Sequence, residues 1–146
     1  MLGADTGTKL GGLLGLSGIA CTVIGLIAVV SPTSTASQLG YSFASLGGQG
    51  EFMTFYGGFY AGIGLFLLAA VRIPSLRPGA AAFLACSATA AIPVRVYSLV
   101  QFDITAIVFY ELLLGEILFA TAGWVGWYWA HQARTVFGAE ATGGAT

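Results

Sequence analysis

Long apolar stretches dominate the chain, and short polar segments separate them. Four of these stretches have the roughly 20 residues that a helix needs to cross a bilayer. They cover about 10–30, 52–71, 79–100 and 106–130. The stretches do not alternate in polarity and are too long for the strands of a membrane barrel. The pattern therefore predicts an all-α fold, an integral membrane four-helix bundle of up-down topology in a single domain, 1–146.

The composition supports this class of protein. Charged residues make up 8% of the chain and apolar residues 57%, and the mean hydropathy is +0.87. An ordinary soluble domain is about 25% charged, so this chain has too few polar groups to cover a surface in water. Its net charge of -1 offers no basic surface to nucleic acid. The composition excludes an ordinary soluble enzyme, a disordered tail and a nucleic-acid binder, and it makes the lipid bilayer the expected environment.

The cations indicate how the bundle is oriented. A four-span chain places them all on one side: they are Lys9, Arg72, Arg77 and Arg134. The connections on the other side contain Glu51 and Asp103 but no Lys or Arg. The positive-inside rule then predicts a cytoplasmic (inner) membrane protein with both termini in the cytoplasm.

The connection 31–50 is the longest and lies on the predicted outer side. It is rich in Ser, Thr and Gly, and Leu39, Tyr41, Phe43 and Leu46 are spaced through it. One interpretation is a solvated loop. The alternative is a short interfacial helix or lid over the outer end of the bundle.

Small residues within the spans predict close helix packing. The second span contains Gly58 and Gly62 at GxxxG spacing, with Gly57 and Gly64 beside them, and the fourth contains Gly115. Small residues let helix backbones approach closely in lipid. Packing within the chain is the simpler interpretation. A homo-oligomer or an interface with a partner membrane protein is the alternative.

Three ionisable residues lie inside the predicted spans: Arg95, Glu111 and Glu116. A charge at the bilayer centre costs at least about 2.5–3.5 kcal/mol, so such residues are usually paired and functional. Arg95 precedes Asp103 by as many residues as Glu111 follows it, which predicts an Arg95–Glu111 ion pair. Glu116 points about 140° away from Glu111 on an ideal helix. It is expected to be protonated, to bond a tyrosine or to face another subunit.

Tyrosines accompany these charges. Tyr56 and Tyr60 are neighbours on one helix face, and Tyr97 lies near Arg95. The sequence thus predicts one polar pocket in the outer half of the bundle. Its candidate ligand-binding residues are Tyr56, Tyr60, Arg95, Tyr97, Glu111 and Glu116. The alternatives are an ion pair that only locks the helix hairpin, and a proton relay.

Three segments carry a resemblance to a known family. Residues 51–64, EFMTFYGGFYAGIG, resemble the second-span signature of a small bacterial four-helix membrane family known only as a domain of unknown function. RVYSL from Arg95 and ELLLG from Glu111 are similar to that family's pattern in spans three and four. The fold is also similar to DoxX-like four-helix membrane proteins. The resemblance implies a fold and a site but no activity.

Three functions fit these features. The first is a non-catalytic role, as an accessory subunit of a membrane complex or a binder of a small lipophilic ligand. The second is a membrane-embedded isomerase or quinone-linked enzyme that uses Arg95 with Glu111 or Glu116. The third is an oligomeric proton-coupled transporter. The chain has no CxxC, HExxH or phosphate-binding loop, so we expect neither a metal nor a cofactor.

Overall fold

A computed structural model describes the backbone of residues 2–143 and the side chains of residues 6–132. The helices are α1 (Leu2–Val30), α2 (Pro32–Gln38), α3 (Leu46–Phe52), a π-helical segment (Met53–Phe59), α4 (Tyr60–Arg72), a 3-10 turn (Pro74–Leu76), α5 (Arg77–Gln101) and α6 (Ile107–Gly143). The described residues include no strand. The prediction of an all-α fold is confirmed.

The described part of the chain contains four helical segments long and apolar enough to cross a membrane. They are Thr6–Val30, Leu46–Arg72, Pro74–Gln101 and Ile107–Gln132. The second begins earlier than predicted because Ser45 caps it: the Gly48 amide donates a hydrogen bond of 3.1 Å to the Ser45 hydroxyl. Such a side chain satisfies an amide that has no partner within the helix. The predicted connection 31–50 is correspondingly shorter.

Close contacts between glycines hold α1 against the second span. Gly18 lies against the backbone of Gly64, and Gly25 lies against Gly57 and Ala61. A Cβ atom added to Gly25 would lie 2.5 Å from the Ala61 amide nitrogen, a distance that no side chain tolerates. Moving along α1 from Gly18 to Gly25, the contact on the second span moves back from Gly64 to Gly57. The two helices therefore run antiparallel. Small residues create this close approach.

Helices α5 and α6 form a second antiparallel pair. Gly123 lies against Ala85, and Gly126 lies against Ala81 and against Leu10 of α1. The indole nitrogen of Trp124 also donates a hydrogen bond to the Thr89 hydroxyl at 3.0 Å. Gly126 therefore lies where the two helix pairs meet.

The cationic end, defined by Lys9, Arg72 and Arg77, is the more firmly joined end of the bundle. Arg77 donates hydrogen bonds to the carbonyls of Ala70, Val71 and Gly7 at 3.2, 2.8 and 3.0 Å. The first two carbonyls lie in the last turn of α4 and have no partner within that helix. Arg77 thus connects α5 to α1 and to α4. The fourth predicted cation, Arg134, lies outside the residues whose side chains are described.

The main apolar core lies beside the hydrogen bonds that Arg77 makes. Its buried residues are Leu10, Leu14, Cys21, Leu67, Ala70, Ala80, Ala81, Leu84 and Ala130. Large apolar side chains cover the outside instead: Leu16, Val30 and Ile107 are 73%, 78% and 75% exposed. A surface of this kind suits lipid rather than water. The chain has the construction of a multi-pass membrane protein.

Candidate functional site

A cavity of about 590 Å³ opens in the half of the bundle away from the cationic end. Residues of α1, α2, the π-helical segment, α4, α5 and α6 line it. The two antiparallel pairs meet at the cationic end, where Gly126 of α6 lies against Leu10 of α1, and they separate in the other half. The cavity occupies the space between them.

Helix α6 presents one continuous face to this cavity. Val108, Leu112, Gly115, Glu116 and Phe119 all line it, and each lies three or four residues from another member of the set, as residues on a single helix face do. Gly115 lies in the middle of that face. A Cβ atom added there meets nothing within 4 Å among the described residues, so this position leaves room for the cavity.

An ion pair supplies the polar part of the cavity wall. Arg95 Nε and Nη2 donate to the same oxygen, Glu116 Oε1, at 2.7 and 2.5 Å. The two side chains are 26% and 17% exposed. The other oxygen, Glu116 Oε2, is buried and accepts no hydrogen bond from the residues that the structure describes. An unbonded oxygen of this kind is unusual, because nearly all buried polar atoms in proteins have a hydrogen-bond partner. The Glu116 carboxylate therefore retains an acceptor that another donor can use.

The predicted Arg95–Glu111 pair is not formed, and the prediction that Arg95 pairs with Glu111 is wrong. The face that α6 packs against α5 is marked by the contact of Gly123 with Ala85. Glu116 precedes Gly123 by seven residues and lies within about 20° of it, whereas Glu111 lies about 120° away. Equal depth in the membrane does not decide which acid pairs with Arg95, because the direction of the side chain around α6 does.

Glu111 instead lines the cavity as an exposed residue. Within the described part of the chain it has no hydrogen bond or ion pair. Tyr56 and Tyr60 line the same cavity. Tyr97 is 63% exposed and is not part of the cavity wall. The structure thus brings together Tyr56, Tyr60, Arg95, Glu111 and Glu116 and leaves Tyr97 outside.

Part of the second span that lines the cavity is π-helical. Tyr56 and Phe59 belong to this Met53–Phe59 segment and line the cavity, while Gly57 lies against Val29 of α1. Wider π-helical turns occur often at functional sites. No residue pattern predicted this π-helical segment.

The chain between α1 and α3 covers the end of the cavity. Thr35, Gln38, Leu39 and Tyr41 line it, and the Tyr41 and Tyr56 hydroxyls are hydrogen-bonded at 2.9 Å. This cover segment, residues 31–45, contains the short helix α2. Of the two interpretations of this connection, the structure supports the one with a short helix. The role of Tyr41 in the wall was missed from the sequence.

Another small core fixes the cover segment in place. Ala28, Ala36 and Phe52 are buried together, and Leu39 and Phe43 pack against them. The contact therefore links α2 to α1 and to the start of the second span.

The predicted packing glycines fall into two groups. Gly57 and Gly64 lie directly against α1. Gly58, Gly62 and Gly115 have nothing within 4 Å of an added Cβ among the described residues, so they make no close helix contact within this part of the chain. A GxxxG spacing identifies small residues but does not say which side of the helix has a neighbour.

Most of the chain matches one known protein family. A family model described as a domain of unknown function, DUF4345, matches residues 10–127. The chain belongs to this family. The matched region contains every residue that lines the cavity, and the predicted resemblance to a family of unknown function is confirmed. No curated protein and no solved structure matches the chain.

The side chains described include no group of three or more His, Cys, Asp or Glu residues placed to hold a metal ion. The cavity wall offers one guanidinium, two carboxylates, phenol and aliphatic hydroxyls, the Gln38 amide, the Cys21 thiol and a large apolar surface. This combination suits binding of an amphipathic molecule.

Proposed function

We propose that this member of the DUF4345 family is a non-catalytic membrane protein that binds a small lipophilic ligand in the cavity between its two helix pairs. The observation that carries the proposal is a mostly apolar cavity of about 590 Å³ beside a carboxylate with one unused oxygen. Sites for small molecules have volumes of about 300–1,000 Å³, apolar walls and a few polar groups that fix orientation.

The cost of the ion pair supports a functional role. Placing Arg95 and Glu116 inside a membrane span is expensive, and residues of this kind commonly mark ligand or ion pathways. A pair that only joined α5 to α6 would be better satisfied with both carboxylate oxygens bonded. Here both guanidinium donors go to Oε1, which leaves Oε2 for another donor.

The proposal includes an orientation. The cationic end lies in the cytoplasm, both termini are cytoplasmic, and the spans cross the cytoplasmic membrane up and down. The cavity then lies in the outer half of the bundle, under the cover segment. Support comes from the contact of Arg77 with Gly7, which places two of the cation-bearing segments at the same end. A DoxX-like arrangement of the four spans is part of the same proposal.

A cavity-filling substitution tests ligand binding. We would purify wild type and Gly115→Leu in mild detergent and identify small molecules retained by each, using native mass spectrometry and organic extraction. Gly62→Leu is the matched control, since Gly62 is also open to an added side chain but does not line the cavity. We expect wild type and Gly62→Leu to retain the same lipophilic molecule and Gly115→Leu to lose it. An equal content in all three proteins would overturn the proposal.

A role as an accessory subunit is the second candidate. Gly58 and Gly62 are exposed at GxxxG spacing, which would allow a helix of another subunit to approach closely. The same mass spectra test it: Gly62→Leu should reduce the amount of copurified partner or dimer, and Gly115→Leu should not. A protein that is strictly monomeric and free of partners in all three preparations would exclude this role.

A further inference from the structure

The charges in the cavity wall do not balance. Its formally charged residues are Arg95, Glu111 and Glu116, so one cation faces two anions. Arg95 already donates twice to Glu116. Glu111 has no partner among the described residues. The wall therefore carries one formal negative charge without a counter-charge.

Both carboxylates of the wall have oxygens that can accept a hydrogen bond from a ligand. Glu111 is exposed and unpaired in the described structure. Glu116 Oε2 is buried without a hydrogen bond, and the terminal torsion of a glutamate is broad, so a small rotation can turn this oxygen toward the cavity. A ligand with N–H donors would supply the partner that Glu111 lacks in the described structure.

Aromatic side chains strengthen the preference for a cation. The rings in the wall belong to Tyr41, Tyr56, Phe59, Tyr60, Phe109 and Phe119. The face of an aromatic ring attracts a cation, most strongly where water is excluded. An apolar chain would contact the rest of the wall, where Ile24, Ile63 and Leu84 lie.

We infer that the ligand of this cavity is a lipophilic amine, whose ammonium group pairs with the Glu111 carboxylate and whose apolar part fills the space between the helix pairs. This inference rests on the proposed function. A fatty acid or another anion is disfavoured because it would meet the unbalanced negative charge. A long-chain alcohol fits the apolar wall but supplies no counter-charge.

Three probes of equal chain length separate these classes. Dodecylammonium, dodecanol and dodecanoate would be measured by equilibrium dialysis against the protein in phosphatidylcholine nanodiscs, with protein-free nanodiscs as the blank. We expect wild type to bind dodecylammonium about tenfold or more tightly than dodecanoate, because a unit charge in a low-dielectric site shifts binding by at least this factor. Dodecanol should bind with intermediate affinity.

A matched pair of variants locates the charge. Glu111→Gln should weaken dodecylammonium binding by about tenfold and leave dodecanol binding unchanged. Glu51→Gln is the control, since Glu51 is also an exposed acid but does not line the cavity, and it should bind like wild type. The inference is overturned if the three probes bind equally well or if both variants behave alike. If no probe binds wild type better than Gly115→Leu, the proposed function itself fails.

Discussion

Replacing Gly64 by alanine tests the contact between α1 and the second span. The added Cβ would overlap the Thr22 hydroxyl and would lie 2.5 Å from the Thr22 amide nitrogen and 2.6 Å from the Gly18 carbonyl oxygen. The hydroxyl can rotate away, but the two backbone atoms move only if α1 moves. Gly62→Ala is the control, because it is the same substitution in the same helix with nothing within 4 Å of the new atom among the described residues.

The magnitude follows from two opposing effects. Alanine favours a helix over glycine by about 1 kcal/mol, and both variants gain this. Overpacking a tight contact costs about 1–3 kcal/mol, and only Gly64→Ala incurs it. Because the obstacles are backbone atoms, we expect the upper part of that range. Gly64→Ala should therefore be about 2–3 kcal/mol less stable than Gly62→Ala.

Unfolding by SDS titration of the purified protein measures this difference. Tryptophan emission from α6 reports on global unfolding. In a Cys86→Ser background, which removes the exposed cysteine, labelling of Cys21 by a thiol reagent reports on separation of α1 from its neighbours, since Cys21 is only 3% exposed in the folded chain. Both signals should shift to lower SDS for Gly64→Ala. If Gly64→Ala is as stable as Gly62→Ala, the close approach of α1 and α4 at Gly64 is refuted.

Three further outcomes are expected. Arg77→Met should lower the free energy of unfolding by about 1.5–3 kcal/mol because three carbonyls lose a charged donor. The control Arg72→Met removes no such bond in the described structure and should change the free energy of unfolding by less than about 0.5 kcal/mol. SDS titration measures both variants. Glu116→Ala should destabilise the protein by about 2–3 kcal/mol in the same assay, since it leaves Arg95 unpaired, and replacing both residues by methionine should recover most of the loss. Tyr41→Phe removes the hydrogen bond to the π-helical segment and should speed ligand release about two- to tenfold, measured by probe washout from nanodiscs.

Each outcome has a result that contradicts it. Equal losses for Arg77→Met and Arg72→Met would mean that the three carbonyl contacts do not stabilise the cationic end. A double methionine variant no more stable than Glu116→Ala would show that unpaired charge is not the cause of the loss. Tyr97→Phe is the control for Tyr41→Phe, since Tyr97 is exposed. An unchanged rate of ligand release for Tyr41→Phe would show that the cover segment does not control this release.

Much of the fold was accessible from the sequence because membrane spans depend on length and hydropathy. The four apolar stretches, the placement of the cations and the glycine-rich faces needed no knowledge of tertiary contacts. The start of the second span was missed because residues 46–51, LGGQGE, are not apolar. The signal that does mark it is Ser45, whose side chain caps the helix.

The candidate site was predicted only in part, since it depends on how helices are rotated against one another. The sequence identifies three charges that are costly to place inside a membrane, namely Arg95, Glu111 and Glu116. Their depth in the membrane does not determine which acid pairs with Arg95. Gly123 offered the missing signal: a close-packed glycine marks the contact face, and Glu116 lies seven residues before it on the same face. The outward direction of Tyr97 had no comparable marker.

The two ends of this bundle differ in how firmly they are joined, which has a mechanical consequence. Arg77 and the contact of Gly126 with Leu10 connect the helix pairs at the cationic end, while the cavity separates them at the other. A rigid-body rotation about the joined end would widen or narrow the cavity while the contacts of Arg77 and Gly126 stay in place. Under the proposed function, such a rotation fits the cavity to ligands of different bulk while the cover segment stays packed on α1 and the start of the second span.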